Sequence, residues 1–553
     1  MSFKVNALFR SDGYKVGHKR MLAPGTAFLY GTWIPRSLKH APKGVTSIAS
    51  FGHQMTWKWI HDEFQENFFN LSKEEAVFDI ARDLTDYLGM DYDAKHFEEL
   101  YDLGYLPIKV KALPEGINTP ANVPHMTFIN TVNGFAWLTL YLETIVSSLA
   151  WKPATSATIA LQYRKNTTEW VMKTDPERAF LIDWMCHDFS ARGLDPWSMI
   201  SSGLGHATSH MGSDTLTVIP AARYFYNETA VAIGSVNASE HSVSTTKIFT
   251  VGEKQMLIDW LKEFPTGILS VVADTFDLWK LVTEYLADPE VKELIMARDG
   301  KLVIRPDSGD PVDIICGEKY DFTERQISKL DEFIQYKKDG TYTHGIHTIV
   351  TENGKTTLHP LHKGVIELLW DIFGGTVNEQ GYKVLDSHIG AIYGDSINLE
   401  RQVQIYERLA KKDFASTNIV LGVGSFTYQM NTRDTFGFAA KGAWFAVEEG
   451  CKDFKKGEYS GACDPVLIGY NIYKDPITDD GTKKSLKGRI QVFNNRPDAN
   501  GDDLIFDGKD QLEVNQECTE EQENGGLLQT IYEDGKFYNE TTLTEIRNKF
   551  KNQ

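Results

Sequence analysis

The sequence predicts an α/β fold in which parallel strands close into a barrel, and three observations carry that expectation. Between roughly residues 180 and 425, a short apolar run, a turn of small or charged residues and an amphipathic helix recur in order. Two of the apolar runs end directly on reactive groups. One is Ile233-Gly234-Ser235-Val236-Asn237-Ala238-Ser239-Glu240-His241-Ser242, and the other is Leu302-Val303-Ile304-Arg305-Pro306-Asp307-Ser308-Gly309. A strand buried in a parallel sheet delivers chemistry at its C-terminal end in this way, and small residues after it leave backbone N–H groups free for an anion. Third, no Gly-x-Gly-x-x-Gly opens a helix and no Walker A motif occurs, which argues against a dinucleotide or P-loop sheet. An open doubly wound sheet is the alternative.

The first 130 residues mix short helical and extended patterns. Residues 73–88 and 136–149 carry apolar side chains at helical spacing, and 107–112 alternates as a strand stopped by Pro114-Glu115-Gly116. The barrel strands are expected at 180–185, 268–273, 302–304, 389–393 and 419–422. Their turns hold His187-Asp188, Asp274, Arg305-Pro306-Asp307, Gly394-Asp395 and Gly424-Ser425, and helices are expected at 253–263, 277–286 and 399–410. A further helix is expected at 321–337, and a polar hairpin over 341–359, turning at Asn353-Gly354, reads as a surface excursion from the barrel. After Arg433 come basic loops and an acidic stretch over 498–523. The expected divisions are 1–180, 181–425 and 426–553.

Composition narrows the class. With 553 residues, more than one core is expected. Lys+Arg 57 against Asp+Glu 76 gives a net charge of −19, which argues against nucleic acid or an anionic membrane as partner. Five cysteines (Cys186, Cys316, Cys451, Cys463, Cys518) lack C-x-x-C spacing and suggest reduced thiols in a cytoplasmic protein. The most apolar run, 134–151, is interrupted by Glu143 and reads as a buried helix.

The candidate chemistry follows from placement. An Arg and an Asp at a strand end are costly to bury unless they pair or bind a ligand, so Arg305 and Asp307 stand out. Asp274 and Asp395 share that placement and suggest a site for a cation, a ribose diol or both. His241 follows an apolar-to-small transition beside Glu240. Gly422-Val423-Gly424-Ser425 could cradle a phosphate, and Arg433, Lys441, Lys474, Lys483, Lys484, Lys487 and Arg489 follow it. The expected substrate is phosphorylated.

Taken together, the motifs resemble the nicotinamide phosphoribosyltransferases of bacteria and bacteriophages, type II phosphoribosyltransferases. The match runs through Asp12-Gly13-Tyr14-Lys15 with His18, Arg36, 106–112, Leu142-Glu143-Thr144-Ile145 and His187-Asp188-Phe189-Ser190-Ala191-Arg192-Gly193. It continues through Gly212-Ser213-Asp214-Thr215, Glu240-His241-Ser242, Asp274-Thr275-Phe276-Asp277, 304–309, Gly394-Asp395, Thr432-Arg433-Asp434 and Lys474-Asp475-Pro476.

The resemblance implies a distorted barrel with a second mixed α/β domain built from both termini, and a homodimer with active sites shared between subunits. It implies transfer of phosphoribose from phosphoribosyl pyrophosphate to nicotinamide in NAD salvage, with Mg2+ and with ATP spent through a phosphohistidine. His241, Asp274, Asp307 and Arg305 would be catalytic, and Asp274 and Asp307 would hold Mg2+ directly or through water. Tyr14 and Phe189 from opposite subunits would sandwich the pyridine ring, with Arg192 lining its pocket and Asp214 reading the carboxamide. Asp12, Ser235, Ser270, Gly394, Asp395, Gly424 and Ser425 complete the substrate set. Arg36, Arg433, Lys441, Lys474 and Lys483 would hold phosphates. The sequence departs from the vertebrate pattern at Ser425, Gly437 and Ala439, where vertebrate members carry Gly, Asn and Ser.

Three rivals are weaker on the residues. A nicotinate or quinolinate enzyme calls for Arg or Lys where Asp214 stands. A non-catalytic relative would have lost His241, Asp274, Arg305 or Asp307. An aldolase-like barrel needs an apolar-flanked Lys at a strand end.

Overall fold

The computed structural model describes residues 4–317, 349–352, 355–358, 360–449, 466–478, 485–495 and 512–552. Six parallel strands form one sheet, in the spatial order Cys186–Phe189, Ile419–Gly424, Ile389–Tyr393, Asp299–Arg305, Thr266–Val272 and Asn237–Ala238. Two single-residue parallel bridges, Asp188 to Ser213 and Gly212 to Gly234, continue from the first strand round to the chain entering the last. The sheet thus curls into a distorted barrel. Its closing arc is held by isolated bridges instead of long ladders.

Ile389–Tyr393 is buried along its whole length, as a strand covered on both faces should be. The helix Leu399–Lys411 buries Ile405, Tyr406 and Leu409, and Glu253–Glu263 buries Met256, Leu257 and Leu261 against the same core. Both lie where helical periodicity predicts them.

The second sheet has seven antiparallel strands drawn from both ends of the chain. Their order is Val466–Asn471, Ala439–Glu449, Thr26–Ile34, Met126–Asn130, Ile108–Ala112, Gln529–Glu533 and Lys536–Phe537. Trp57, Phe64, Phe97, Phe128 and Phe438 are among the residues packed in the core beside it. The C-terminal helix Leu543–Lys551 docks elsewhere, with Leu543, Ile546 and Phe550 in a cluster that includes Ala207, Val218, Ala232 and Ile233.

Several expectations are corrected. Residues 180–185 are not a strand. Residues 180–184 belong to the 3-10 stretch Pro176–Trp184, which buries only Ile182, Met185 caps it, and the first barrel strand is the more polar Cys186–Phe189. A short apolar run does not distinguish the two by periodicity. The helical pattern at 136–149 continues as Glu143–Thr174, across Pro153. Burial of Ala154, Ala157, Ile159, Ala160 and Tyr163 outweighs the ~3 kcal/mol cost of an interior proline. His241 does not end a strand. It opens the helix His241–Val251, after a strand of two residues.

Backbone pairing of Ile349–Glu352 with Lys355–Leu358 is antiparallel, as the hairpin reading requires. The predicted helix at 321–337, Asn353-Gly354, Cys451, Cys463, Lys483 and Lys484 lie outside the described residues.

Candidate active site

Because the barrel strands are parallel, their C-terminal ends share one rim. That rim carries Phe189, Asp214, Ser235, His241, Asp274, Arg305, Asp307, Gly394, Asp395, Gly424 and Ser425. Ser270 lies inside its strand and is buried.

The central cluster is anionic with one guanidinium among its groups. His241 Nε2 lies 3.2 Å from Asp274 Oδ1, and Asp274 Oδ2 accepts the backbone N–H of Asp307 at 3.0 Å. Both oxygens of Asp274 are therefore engaged, while the His241 imidazole is exposed with Nδ1 away from this bond. Burial raises the Asp307 carboxyl above the usual carboxylate range; the Asp274 and Asp395 charges add to it and Arg305 and His241 oppose it. Gly394 lets the Asp307 carboxylate lie close to the backbone: a Cβ at that position would lie 2.6 Å from Asp307 Oδ1 and would push that side chain aside. Arg305 donates from Nη2 to the Ser239 carbonyl at 2.6 Å, and its buried Nε has no partner. An unpaired buried guanidinium N–H suits an anion.

A second cluster lies at the closing arc. His187 Nε2 is 2.9 Å from Asp214 Oδ1, and the Ser235 hydroxyl donates to the same oxygen. Burial works against ionisation of Asp214. These two hydrogen bonds, with the charges of His187 and Arg305, outweigh it and hold the carboxyl below its ordinary range. The His187 ring packs on Phe189 with centroids 4.6 Å apart. Arg192 is 92% exposed, 4.0 Å from Glu240.

A third group lies on the terminal sheet and the start of the long helix. Glu143 accepts from Lys15 at 3.0 Å and from Lys441 at 3.1 Å. Thr144 donates to Asp12 at 2.6 Å. Tyr14 is 66% exposed, and burial of its hydroxyl with the Asp12 and Glu143 charges raises its pKa despite nearby Arg433. Arg36 Nε donates to the Gly437 carbonyl at 3.0 Å, where φ is +61°, a conformation that suits Gly or Asn. Among the described residues, no hydrogen bond, ion pair or ring contact joins Asp12, Tyr14, Arg36, Arg433, Lys441 or Lys474 to the barrel rim.

The basic run downstream is not one free patch. Lys487 pairs with Glu517 at 2.8 Å, and Arg489 pairs with Glu523 at 2.8 Å between Tyr30 and Trp444. Sequence reasoning passed over His187 as a site residue. Its signal was weak, a His two residues before an aromatic, because only the fold brings Asp214 to it.

Among the described residues, no group of three or more His, Cys, Asp or Glu is arranged to hold a metal by itself. Asp307 and Asp395 nevertheless face one another's charge beside Arg305, which fits a cation that takes few protein ligands and completes its shell with phosphate and water, as Mg2+ does. No described helix is long and apolar enough to cross a membrane.

The model of the nicotinate phosphoribosyltransferase (NAPRTase) family matches residues 184–551, which include every barrel strand. A protein of Acinetobacter baylyi named nicotinamide phosphoribosyltransferase is 36% identical, covering 100% of this chain and 98% of that protein. Proteins of the same name from Xanthomonas campestris pv. campestris and Mycoplasma pneumoniae are 29% and 30% identical, covering 99% and 88% of this chain and 98% and 97% of their own lengths. A parallel barrel whose rim gathers carboxylates, a histidine and an arginine with one free N–H lies within the matched segment, and the chain belongs to the nicotinate phosphoribosyltransferase family of enzymes.

Proposed function

We propose that this enzyme transfers phosphoribose from phosphoribosyl pyrophosphate to nicotinamide, giving nicotinamide mononucleotide and pyrophosphate for NAD salvage. The ionised Asp214 beside Phe189 carries the choice of base. Its carboxylate accepts a hydrogen bond from a carboxamide NH2 and repels a carboxylate. The name shared by the full-length relatives supports the same reading.

In the transfer, the pyridine nitrogen forms a bond to the ribose anomeric carbon as the bond to pyrophosphate breaks. The electron pair leaves with pyrophosphate. Arg305, through its unpaired Nε, would hold a phosphate oxygen, and Asp307 would bind ribose hydroxyls. Bound Mg2+ would neutralise charge on the leaving group, with Asp307 and Asp395 as its protein anchors. Asp274 has both oxygens engaged, which favours an orienting role toward His241 over direct metal ligation. Gly424 and Ser425 would take the 5′-phosphate at the end of their strand.

ATP coupling runs through His241. Asp274 holds Nε2, which directs nucleophilic character to Nδ1. A bond from Nδ1 to the γ-phosphorus would form as ADP leaves, and water would later cleave it.

The enzyme is proposed to act as a cytoplasmic homodimer. Support comes from the separation of the terminal-sheet set (Asp12, Tyr14, Arg433, Lys441) from the barrel rim and from the exposure of Tyr14. Val243, Phe249, Val251, Ile268 and Phe276 are also exposed on elements near the rim. In a dimer, Tyr14 would meet the partner subunit's rim and close the ring sandwich with Phe189. Mixing inactive Tyr14→Ala and Phe189→Ala chains should then restore activity, to roughly a quarter of wild type when subunits exchange freely, because half the dimers are mixed and each has one intact site. No recovery after verified exchange counts against a shared site.

The decisive assay offers purified enzyme phosphoribosyl pyrophosphate, Mg2+ and either nicotinamide or nicotinate, with and without ATP. Nicotinamide mononucleotide should form in preference, and faster with ATP. Preference for nicotinate would overturn the reading.

A further inference from the structure

The closing arc of the barrel is its least supported part. Where other neighbours share ladders, the segments that deliver Asp214 and Ser235 meet through isolated bridges. Ser213 N–H donates to Gly234 at 3.0 Å, and Gly234 N–H donates to Met211 at 2.7 Å. Little else in the backbone fixes the distance between the two side chains.

A brace comes from the far end of the chain. Arg547 projects from the buried stripe of the C-terminal helix, alongside Leu543, Ile546 and Phe550. It is 5% exposed. Its Nε donates to the carbonyl of Ala207 at 2.8 Å, and its Nη2 donates to the carbonyl of Ala232 at 2.7 Å. Ala207 ends the helix Pro196–Ala207, and the chain leaves it toward Gly212 and Asp214. Ala232 stands three residues before Ser235. One planar fork therefore ties both segments just before they reach the rim.

The surrounding bonds serve the same frame. Thr544 N–H donates to Glu228 at 2.5 Å, Lys551 pairs with Asp183, and the Asp183 carbonyl accepts Met211 N–H at 2.7 Å. Arg164 joins Asp183 and the Ser209 carbonyl, both at 2.7 Å. A buried guanidinium is expensive to keep in an apolar stripe, and methionine would fill the same space. Its fork geometry is what methionine cannot supply.

We infer that Arg547 is a positioning residue for the base pocket: it holds the Asp214 and Ser235 segments in register so that the Ser235 hydroxyl and His187 keep the Asp214 carboxylate aimed at the base. This rests on the assignment of Asp214 to the base site. A general structural role would affect both substrates, whereas this one acts on the base alone.

The test compares Arg547→Met and Arg547→Lys with the wild type by steady-state kinetics and by hydrogen exchange of the intact enzyme. In Arg547→Met, the KM for nicotinamide should rise roughly tenfold, while that for phosphoribosyl pyrophosphate stays within about twofold. Lysine reaches one carbonyl but not both, so Arg547→Lys should fall between. Amide protection should drop in 207–214 and 232–236 and hold in the remaining barrel strands. Equal rises in both KM values, or an unchanged nicotinamide KM with unchanged protection, overturn the inference. Should Arg547→Met fail to fold, Arg547→Lys decides by the same criteria. A wild type that does not use nicotinamide defeats the assigned reaction, and exchange in the two segments then tests the brace on its own.

Discussion

His241→Ala is expected to abolish ATP hydrolysis and ATP stimulation of nucleotide synthesis, a loss of roughly 1,000-fold or more, the scale of removing a nucleophile that no neighbour replaces. Asp274 orients the imidazole by its hydrogen bond to Nε2, and Arg305 and the acidic cluster lie on the same rim. Alanine removes the imidazole proposed to accept the phosphoryl group and leaves the base cluster at Asp214 untouched. Slow transfer without ATP should therefore survive, since ring stacking and phosphate contacts do not pass through His241. The measurement is incubation with γ-labelled ATP, followed by acid and base treatment. The wild type should carry an acid-labile, base-stable label, and His241→Ala should carry none. Equal labelling of the two proteins would reject a phosphohistidine at this position.

Asp214→Asn should produce the largest change in specificity. Two carboxylates about 4 Å apart at an effective dielectric near 20 repel by about 4 kcal/mol, an upper bound of roughly 1,000-fold; with part of that relieved by solvent and relaxation, a bound nicotinate is disfavoured by roughly 100-fold. Asparagine removes that repulsion and keeps the shape. The ratio of kcat/KM for nicotinamide to that for nicotinate should fall by about that factor. A ratio equal to wild type would mean that Asp214 does not read the carboxamide. The same carboxyl sets a pH dependence. Its pKa lies below the ordinary range, so discrimination is full at neutral pH and is lost only as pH falls through that lowered value. Labelling of His241 should persist in Asp214→Asn, which separates the two clusters experimentally.

The order of strands and helices was readable where burial is one-sided or complete. Leu399–Lys411 and Glu253–Glu263 show a helical stripe, and Ile389–Tyr393 shows a continuous apolar run. Reading failed where those rules lose their grip. Glu143–Thr174 buries every residue from Lys152 to Ala160, most of them small, so no stripe marks its middle, and the stripe that follows, Tyr163, Thr167, Val171 and Thr174, is half polar. Cys186–Phe189 contains His and Asp because it forms part of the site, and the more apolar stretch before it drew the assignment.

By itself the sequence determined the class of fold, and it singled out His241, Asp274, Arg305 and Asp307 as candidates. Local periodicity and the cost of burying charge are properties of consecutive residues, so they can be read in one dimension. Tertiary structure alone decided which groups touch. It put Asp274 on His241, His187 and Ser235 on Asp214, and Gly394 against Asp307. It also left Tyr14 and Lys441 away from the barrel rim and brought Arg547 across the chain to Ala207 and Ala232. Such contacts join residues tens to hundreds of positions apart, and their geometry follows from strand register and barrel closure, which depend on the packing of the whole chain.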